Sequence, residues 1–282
     1  MTDLTWRAVR RIVAFVVRHP PLPVSVFATM PLASYRPATR VAALLALLSV
    51  AACSDSAYDL LGPTAPGFAR GGKPKPPKVT HDPILFVHGW NASSTTWSTM
   101  VSRFKADGWT NAELANWSYN FRQSNATTAV QIGQKVDSML RVTGATKVDI
   151  ITHSMGTLSA RYYVRNLSGD GKVDALVSLG GANHGTTTAN LCFDVSCVEM
   201  RPNSTFLNNL NSIDETWGSP RYATWWSDCD EVINPHSSVL LSGATNTQTA
   251  CITHSQLHED AGVYQQVRDW VNTPATLLAL TP

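Results

Sequence analysis

The chain has 282 residues, 44% of them apolar and 15% charged, with nine tryptophans. That is enough for one large globular domain, and it is too apolar and too sparsely charged for a mostly disordered protein. Of 22 basic and 20 acidic side chains, six Arg and one Asp fall in residues 1–52, so the rest carries 16 basic against 19 acidic groups and has no electrostatic footprint for nucleic acid.

Residues 41–52, VAALLALLSVAA, are an uncharged apolar run just after Arg36 and Arg40. A run of about 12 residues is too short to span a bilayer and matches the apolar region of a signal peptide. Its end, Val50-Ala51-Ala52-Cys53, resembles the lipobox of bacterial lipoproteins, whose cysteine becomes the lipidated N-terminus. The alternative is an ordinary signal cleaved near Ala52. Met30 opens a conventional leader, so translation is expected to start there and residues 1–29 to be a gene-model artefact. Residues 1–53 are therefore read as an export segment, and the protein as a cell-envelope lipoprotein or a secreted one. Residues 54–79 hold Gly62-Pro63, Gly71-Gly72 and Lys73-Pro74-Lys75-Pro76-Pro77-Lys78, too much Gly and Pro for a helix or central strand, and read as a tether. The catalytic domain is expected at 80–282.

Besides Cys53 there are four cysteines, an even number that suits an oxidising compartment. Three pairings are open. Proximity favours Cys192–Cys197, with Cys229–Cys251 left over. A zinc site is disfavoured because no C-x₂-C spacing occurs.

Pro83 to Val87 is a continuous apolar run, as expected of a strand buried on both faces. Thr95 to Trp109 reads as a helix ending at Gly108, and Leu114 to Tyr119 as a second strand. From Asn125 to Thr143, Ala129, Ile132, Val136, Met139 and Leu140 recur at helical spacing before Gly144. Val148 to Ile151 is a strand, Met155 to Leu167 a helix closed by Gly169, and Val173 to Leu179 a strand. This alternation predicts a parallel sheet covered by helices on both faces. Residues 186–220 read as a loop-rich excursion without a long amphipathic helix, a small lid at most. Strands are expected at Tyr222–Trp226 and around Ala250–Thr253, and a last helix over about 263–271.

In Ile150-Ile151-Thr152-His153-Ser154-Met155-Gly156 a serine stands between a strand and a helix. The segment resembles the G-x-S-x-G nucleophile elbow of α/β-hydrolases, with Thr152 in place of the first glycine. A tight turn there projects the serine Oγ above the sheet, and the helix N-terminus sets backbone N–H groups beside a developing oxyanion. Val87-His88-Gly89-Trp90, after the first buried strand, resembles the HG motif of small bacterial lipases. By that match the Trp90 and Met155 N–H groups form the oxyanion hole, and His88 shapes the loop.

Such a serine needs a base and an orienting acid later in the chain. In Ser227-Asp228-Cys229-Asp230-Glu231 the family pattern fits Asp230 best, with Asp228 and then Glu231 as alternatives. For the base, His254 has Asp260 and Val263-Tyr264 at the family's offsets, and His258 is its rival. Val177 to Gly185 resembles the family's Asn-His-Gly turn, in which His184 is structural. Trp90, Trp97, Trp225 and Trp226 are candidates for an acyl site or simply for the core.

The resemblance runs from about Pro83 to Val271 and is to small secreted bacterial lipases and esterases of the α/β-hydrolase fold. It implies a mostly parallel sheet with helices on both faces and cleavage of carboxylic, expectedly acylglycerol, esters by Ser154, His254 and Asp230. It implies no cofactor and no metal. A monomer is expected, attached to a membrane if Cys53 is lipidated. Polyester depolymerases and acyltransferases share this chemistry. A lipid-anchored surface binding protein on a hydrolase scaffold is the non-enzyme alternative, and it predicts an incomplete triad.

Overall fold

The computed structural model describes residues 79–273. The export segment, Cys53 and nearly all of the expected tether lie outside the described residues. Six strands form one sheet: β1 (Ile84–Val87), β2 (Leu114–Asn116), β3 (Val148–His153), β4 (Val173–Leu179), β5 (Arg221–Trp226) and β6 (Thr245–Gln248). Their order is β2-β1-β3-β4-β5-β6, and every neighbouring pair is parallel. Between β2 and β3 the chain steps over β1, so the strand order reverses there. In such sheets the crevice outside the carboxyl ends of the two strands flanking the reversal is where ligands bind.

Successive side chains of a strand point to opposite faces, and here both faces are dry. Ile84 and Phe86 of β1 and Ile151 of β3 pack with Trp97, Met100 and Phe104 under α1 (Ser98–Ala106), and with Val263 and Val267 of the C-terminal helix Ala261–Asn272. Leu85, Val87, Val148 and Ile150 face Ala129, Ile132 and Val136 of α2 (Asn125–Thr143), with Ala160 and Val164 of α3 (Gly156–Asn166). Full burial of each such aliphatic side chain contributes about 1.5–3 kcal/mol. This is why β1 reads as an unbroken apolar run.

The caps follow local chemistry. Ser124 Oγ accepts from the Ala126 N–H at the start of α2, and Gly144 at φ 73° ends it, its N–H donating to the Leu140 carbonyl. The excursion carries two short helices, α4 (Val195–Met200) and α5 (Thr205–Asn211), and the C-terminal helix is α6, capped by Asp260. Disulfides join Cys192 to Cys197 and Cys229 to Cys251.

Three readings need correction, and a fourth needs refinement. The expected helix from Thr95 to Trp109 is a 3₁₀ turn, Ser94–Trp97, followed by a shorter α1. The second strand stops at Asn116 rather than Tyr119. Gly169 closes the helix by its N–H, which donates to the Tyr163 carbonyl at 3.3 Å, but the left-handed residue is Ser168, at φ 58°, and what requires glycine at 169 is packing, since a Cβ there would meet the Tyr163 ring at 2.6 Å. The last strand is Thr245–Gln248, and Ala250–Thr253 is the loop leaving it. That strand is polar throughout and largely exposed at the sheet edge, so it has no apolar signature.

Candidate active site

The loops after β1 and β3 meet at the reversal point. Between β3 and α3, Ser154 has φ 55°, a left-handed conformation that costs a non-glycine residue about 1–2 kcal/mol. Two glycines make the turn possible. A Cβ on Gly156 would lie 2.4 Å from the His88 carbonyl oxygen and 2.6 Å from that of Val87, and one on Gly89 would lie 2.8 Å from Ser154 Cβ. The bulkier Thr152 is accommodated by buried polar contacts, with Oγ1 donating to the Val177 carbonyl at 2.7 Å and paired with Thr157 Oγ1 at 2.7 Å.

His88 shapes the β1 loop, as expected. Its Nδ1–H donates to the Gly89 carbonyl at 2.8 Å, and its Nε2 accepts from the Tyr119 N–H at 3.3 Å. The Trp90 Nε1–H donates to Asp194 Oδ2 at 3.1 Å, tying this loop to the residue that precedes α4. Trp97 and Trp225 are core residues. Trp90 alone of the four candidate tryptophans lines the cavity described below.

Asp230 sits in the loop after β5, and His254 in the loop after β6. The His254 Nδ1–H donates to Asp230 Oδ2 at 2.7 Å, while Asp230 Oδ1 accepts from the Val232 and Ile233 N–H groups at 2.8 and 2.9 Å. Burial alone would raise the Asp230 pKa. The His254 hydrogen bond and charge, with those two backbone donors, outweigh it and hold the carboxyl below the usual aspartate range. Asp228 is exposed and makes no such contact, and His258 pairs with no carboxylate. Ser154, Asp230 and His254 thus come from three strand ends, and the cavity is shared by Ser154 and His254.

Three further groups position the base. The His254 N–H donates to Glu231 Oε2 at 3.1 Å, and the His153 Nε2–H donates to the His254 carbonyl at 3.0 Å. Burial, then the neighbouring His254 and His258, push the His153 pKa well below the usual histidine value, so this ring is a neutral strut. A Cβ on Gly180, at φ 54°, would lie 3.1 Å from His254 Nδ1 and 3.2 Å from Asp230 Oδ2, so the glycine leaves room for the pair. Sequence spacing offered Glu231 only as a third-choice acid. It gave no sign that His153 reaches across 101 positions. His184 pairs with Glu215 at 2.7 Å and lies outside the cavity lining, a structural histidine as expected.

The cavity, about 490 Å³, has Ser154, His254 and His258 among its polar groups and Ala189, Leu191 and Met200 among its apolar ones. The excursion therefore supplies a wall of it. A wider hollow of about 640 Å³ lies beside Asp82 and Asp174 at the amino ends of the strands, and holds none of these groups.

A parallel, doubly covered sheet with a strained serine turn at its switch point is that of an α/β-hydrolase. The sequence profile of the family described as Lipase (class 2) matches residues 81–273. The chain belongs to this family and is a carboxylic ester hydrolase of the lipase/esterase kind. Among solved structures it is similar to the mature form of the Bacillus licheniformis lipase BlEst2, at 15% identity and TM-score 0.62, over 72% of this chain and 96% of that one. It is also similar to Aspergillus fumigatus lipase B, at 15% identity and TM-score 0.60, over 68% of this chain and 53% of that one. A protein of Listeria innocua matches at 13% identity and TM-score 0.54, over 69% of this chain and 95% of that one. At these identities the likeness is one of fold.

Proposed function

We propose that the protein hydrolyses carboxylic esters, acylglycerols and related lipid esters among them, through a Ser154–His254–Asp230 triad. Ser154 Oγ attacks the ester carbonyl as its proton passes to His254 Nε2. Asp230 holds the imidazole by Nδ1 and stabilises the imidazolium. His254 then gives the proton to the departing alcohol. Water, deprotonated by the same nitrogen, attacks the acyl-enzyme and releases the acid. The Trp90 and Met155 N–H groups bind the oxyanion; among the described residues neither donates to a protein acceptor.

The observation that carries this reading is the pairing of His254 with a buried Asp230, beside a serine whose strained turn presents it to the same apolar cavity. The test is hydrolysis of p-nitrophenyl esters of graded acyl length by the purified protein and by Ser154→Ala. Activity that vanishes in the variant supports the reading, and activity that survives the substitution overturns it. A rate maximum at longer acyl chains supports lipid esters as substrates, whereas one at acetate points to a short-chain esterase.

The proposal extends to location. Two disulfides suit an oxidising compartment, which supports export through the leader, and the lipobox-like Val50-Ala51-Ala52-Cys53 supports attachment by a lipidated Cys53. Labelling of growing cells with radioactive palmitate tests the anchor: label carried by the protein and lost in Cys53→Ala supports it, and an unlabelled protein counts against it.

A further inference from the structure

His258 closes the 3₁₀ turn Ser255–His258, four residues beyond His254. It is 7% exposed, and its ring centroid lies 4.7 Å from that of His153 and 6.0 Å from that of Trp97. Its Nδ1 is buried without a hydrogen-bond partner. Its Nε2 has no protein partner among the described residues either, and it is the nitrogen left with access to the cavity that Ser154 and His254 line. A ring nitrogen that faces the cavity without a protein partner is available to whatever fills the cavity, water in the free protein or a polar group of the substrate.

What kind of partner follows from the tautomer. Asp230 fixes the proton of His254 on Nδ1, and the His254 carbonyl fixes that of His153 on Nε2. No other residue fixes the proton of His258, so its Nε2 can donate or accept. Burial lowers its pKa, which keeps the ring neutral at pH 7. A hydroxyl is the group that pairs with either form. Where that hydroxyl sits follows from the chemistry. His254 must hand its proton to the departing alcohol oxygen, so the alcohol part of the ester lies on the His254 side of the cavity. Ser255 and His258, one and four residues beyond His254, are in the cavity lining, as are Ala189, Leu191 and Met200, which offer apolar surface for an acyl chain.

We propose that His258 Nε2 recognises a free hydroxyl on the alcohol portion of the ester, making partial esters of polyols the preferred substrates. This rests on the reading in which Ser154 and His254 carry the chemistry. A site built to bond a substrate hydroxyl discriminates against the analogue lacking it.

The experiment compares 2-hydroxyethyl butanoate with propyl butanoate, which differ only in a terminal hydroxyl in place of a methyl. Hydrolysis by the purified protein is followed by pH-stat titration. The expected kcat/KM favours the hydroxylated ester by about ten-fold. In His258→Phe that ratio falls to near one, and His258→Gln keeps part of it. Where phenylalanine disturbs the fold, His258→Leu serves the same comparison. A wild-type ratio near one overturns the proposal, as does a ratio that persists in the apolar variants. Ser154→Ala is run beside them. If the wild type hydrolyses neither ester, or the alanine variant hydrolyses both, it is the catalytic reading that fails, and this proposal falls with it.

Discussion

Asp230 uses both carboxylate oxygens at once. Oδ2 accepts from His254 Nδ1 at 2.7 Å, and Oδ1 accepts from the Val232 and Ile233 N–H groups. The backbone therefore fixes the carboxylate that fixes the imidazole. Asp230→Asn presents an amide N–H or a weaker acceptor to His254 and disturbs its tautomer. It is expected to lower kcat by about 10³–10⁴-fold. Asp228→Asn, at an exposed position, should change kcat by less than about two-fold. Steady-state kinetics on one p-nitrophenyl ester decides between them, and the reverse order would move the acid to Asp228.

The Cys229–Cys251 disulfide clamps the same two loops, since Cys229 precedes Asp230 and Cys251 lies three residues before His254. It closes a loop of sequence separation 22, against 5 for Cys192–Cys197. Loop-closure entropy then gives the longer loop the larger effect, about 3 kcal/mol. The double variant Cys229→Ser/Cys251→Ser should lose about that much stability in urea titration, and kcat should fall as well. The double variant of Cys192 and Cys197 should lose less stability. Equal losses would show that the longer staple constrains nothing special.

Gly156 has no room for a methyl group against two backbone carbonyls, which cannot swing aside as a flexible side chain does. Gly156→Ala should therefore push the β3–α3 turn away from the β1 loop. We expect a loss of about 2 kcal/mol or more, seen in thermal unfolding, together with a fall in kcat. An unchanged Tm would mean that the two loops are not in this contact.

Which parts of this were legible in the sequence depended on what each signal measures. Strand β1 announced itself because burial on both faces requires an unbroken apolar run, and β3 and β4 by short apolar stretches, each broken by one Asp, between helical segments. The edge strand Thr245–Gln248 carries no such requirement and was invisible. The serine turn was legible because Gly89 and Gly156 are local necessities, whereas what accommodates Thr152 was not, since its partners, the Val177 carbonyl and Thr157, are not adjacent in sequence. Family offsets singled out Asp230 and His254. The groups that steady His254 were not legible, since Glu231 and His153 act through its backbone across 23 and 101 positions, and no local pattern encodes that.

At the opposite end of the sheet, the carboxylates of Asp82, Asp149 and Asp174 converge, with Asp149 2% exposed. Burial first, then the charges of Asp82 and Asp174, raise the Asp149 pKa well above its ordinary value, against the opposing pull of Arg221 and the Ala175 N–H. A carboxyl whose pKa is higher in the folded state loses stability as pH rises from the unfolded value through the folded one. Asp230, whose pKa is lowered, acts in the opposite sense, and its contribution is lost only in acid. Asp149→Asn keeps an oxygen for the Ala175 N–H, which lies at 3.0 Å from Oδ1. It should raise Tm more at pH 8 than at pH 4. A larger gain at pH 4, or a loss at pH 8, would contradict this account of the cluster.

The most direct test of the central claim is covalent trapping with an alkyl fluorophosphonate followed by peptide mass spectrometry. An activated serine displaces fluoride and keeps the phosphonyl group on its oxygen. One equivalent of label is expected on Ser154, abolished in His254→Ala and in Ser154→Ala. A protein that stays unlabelled under these conditions, or label on a different serine, would contradict that claim.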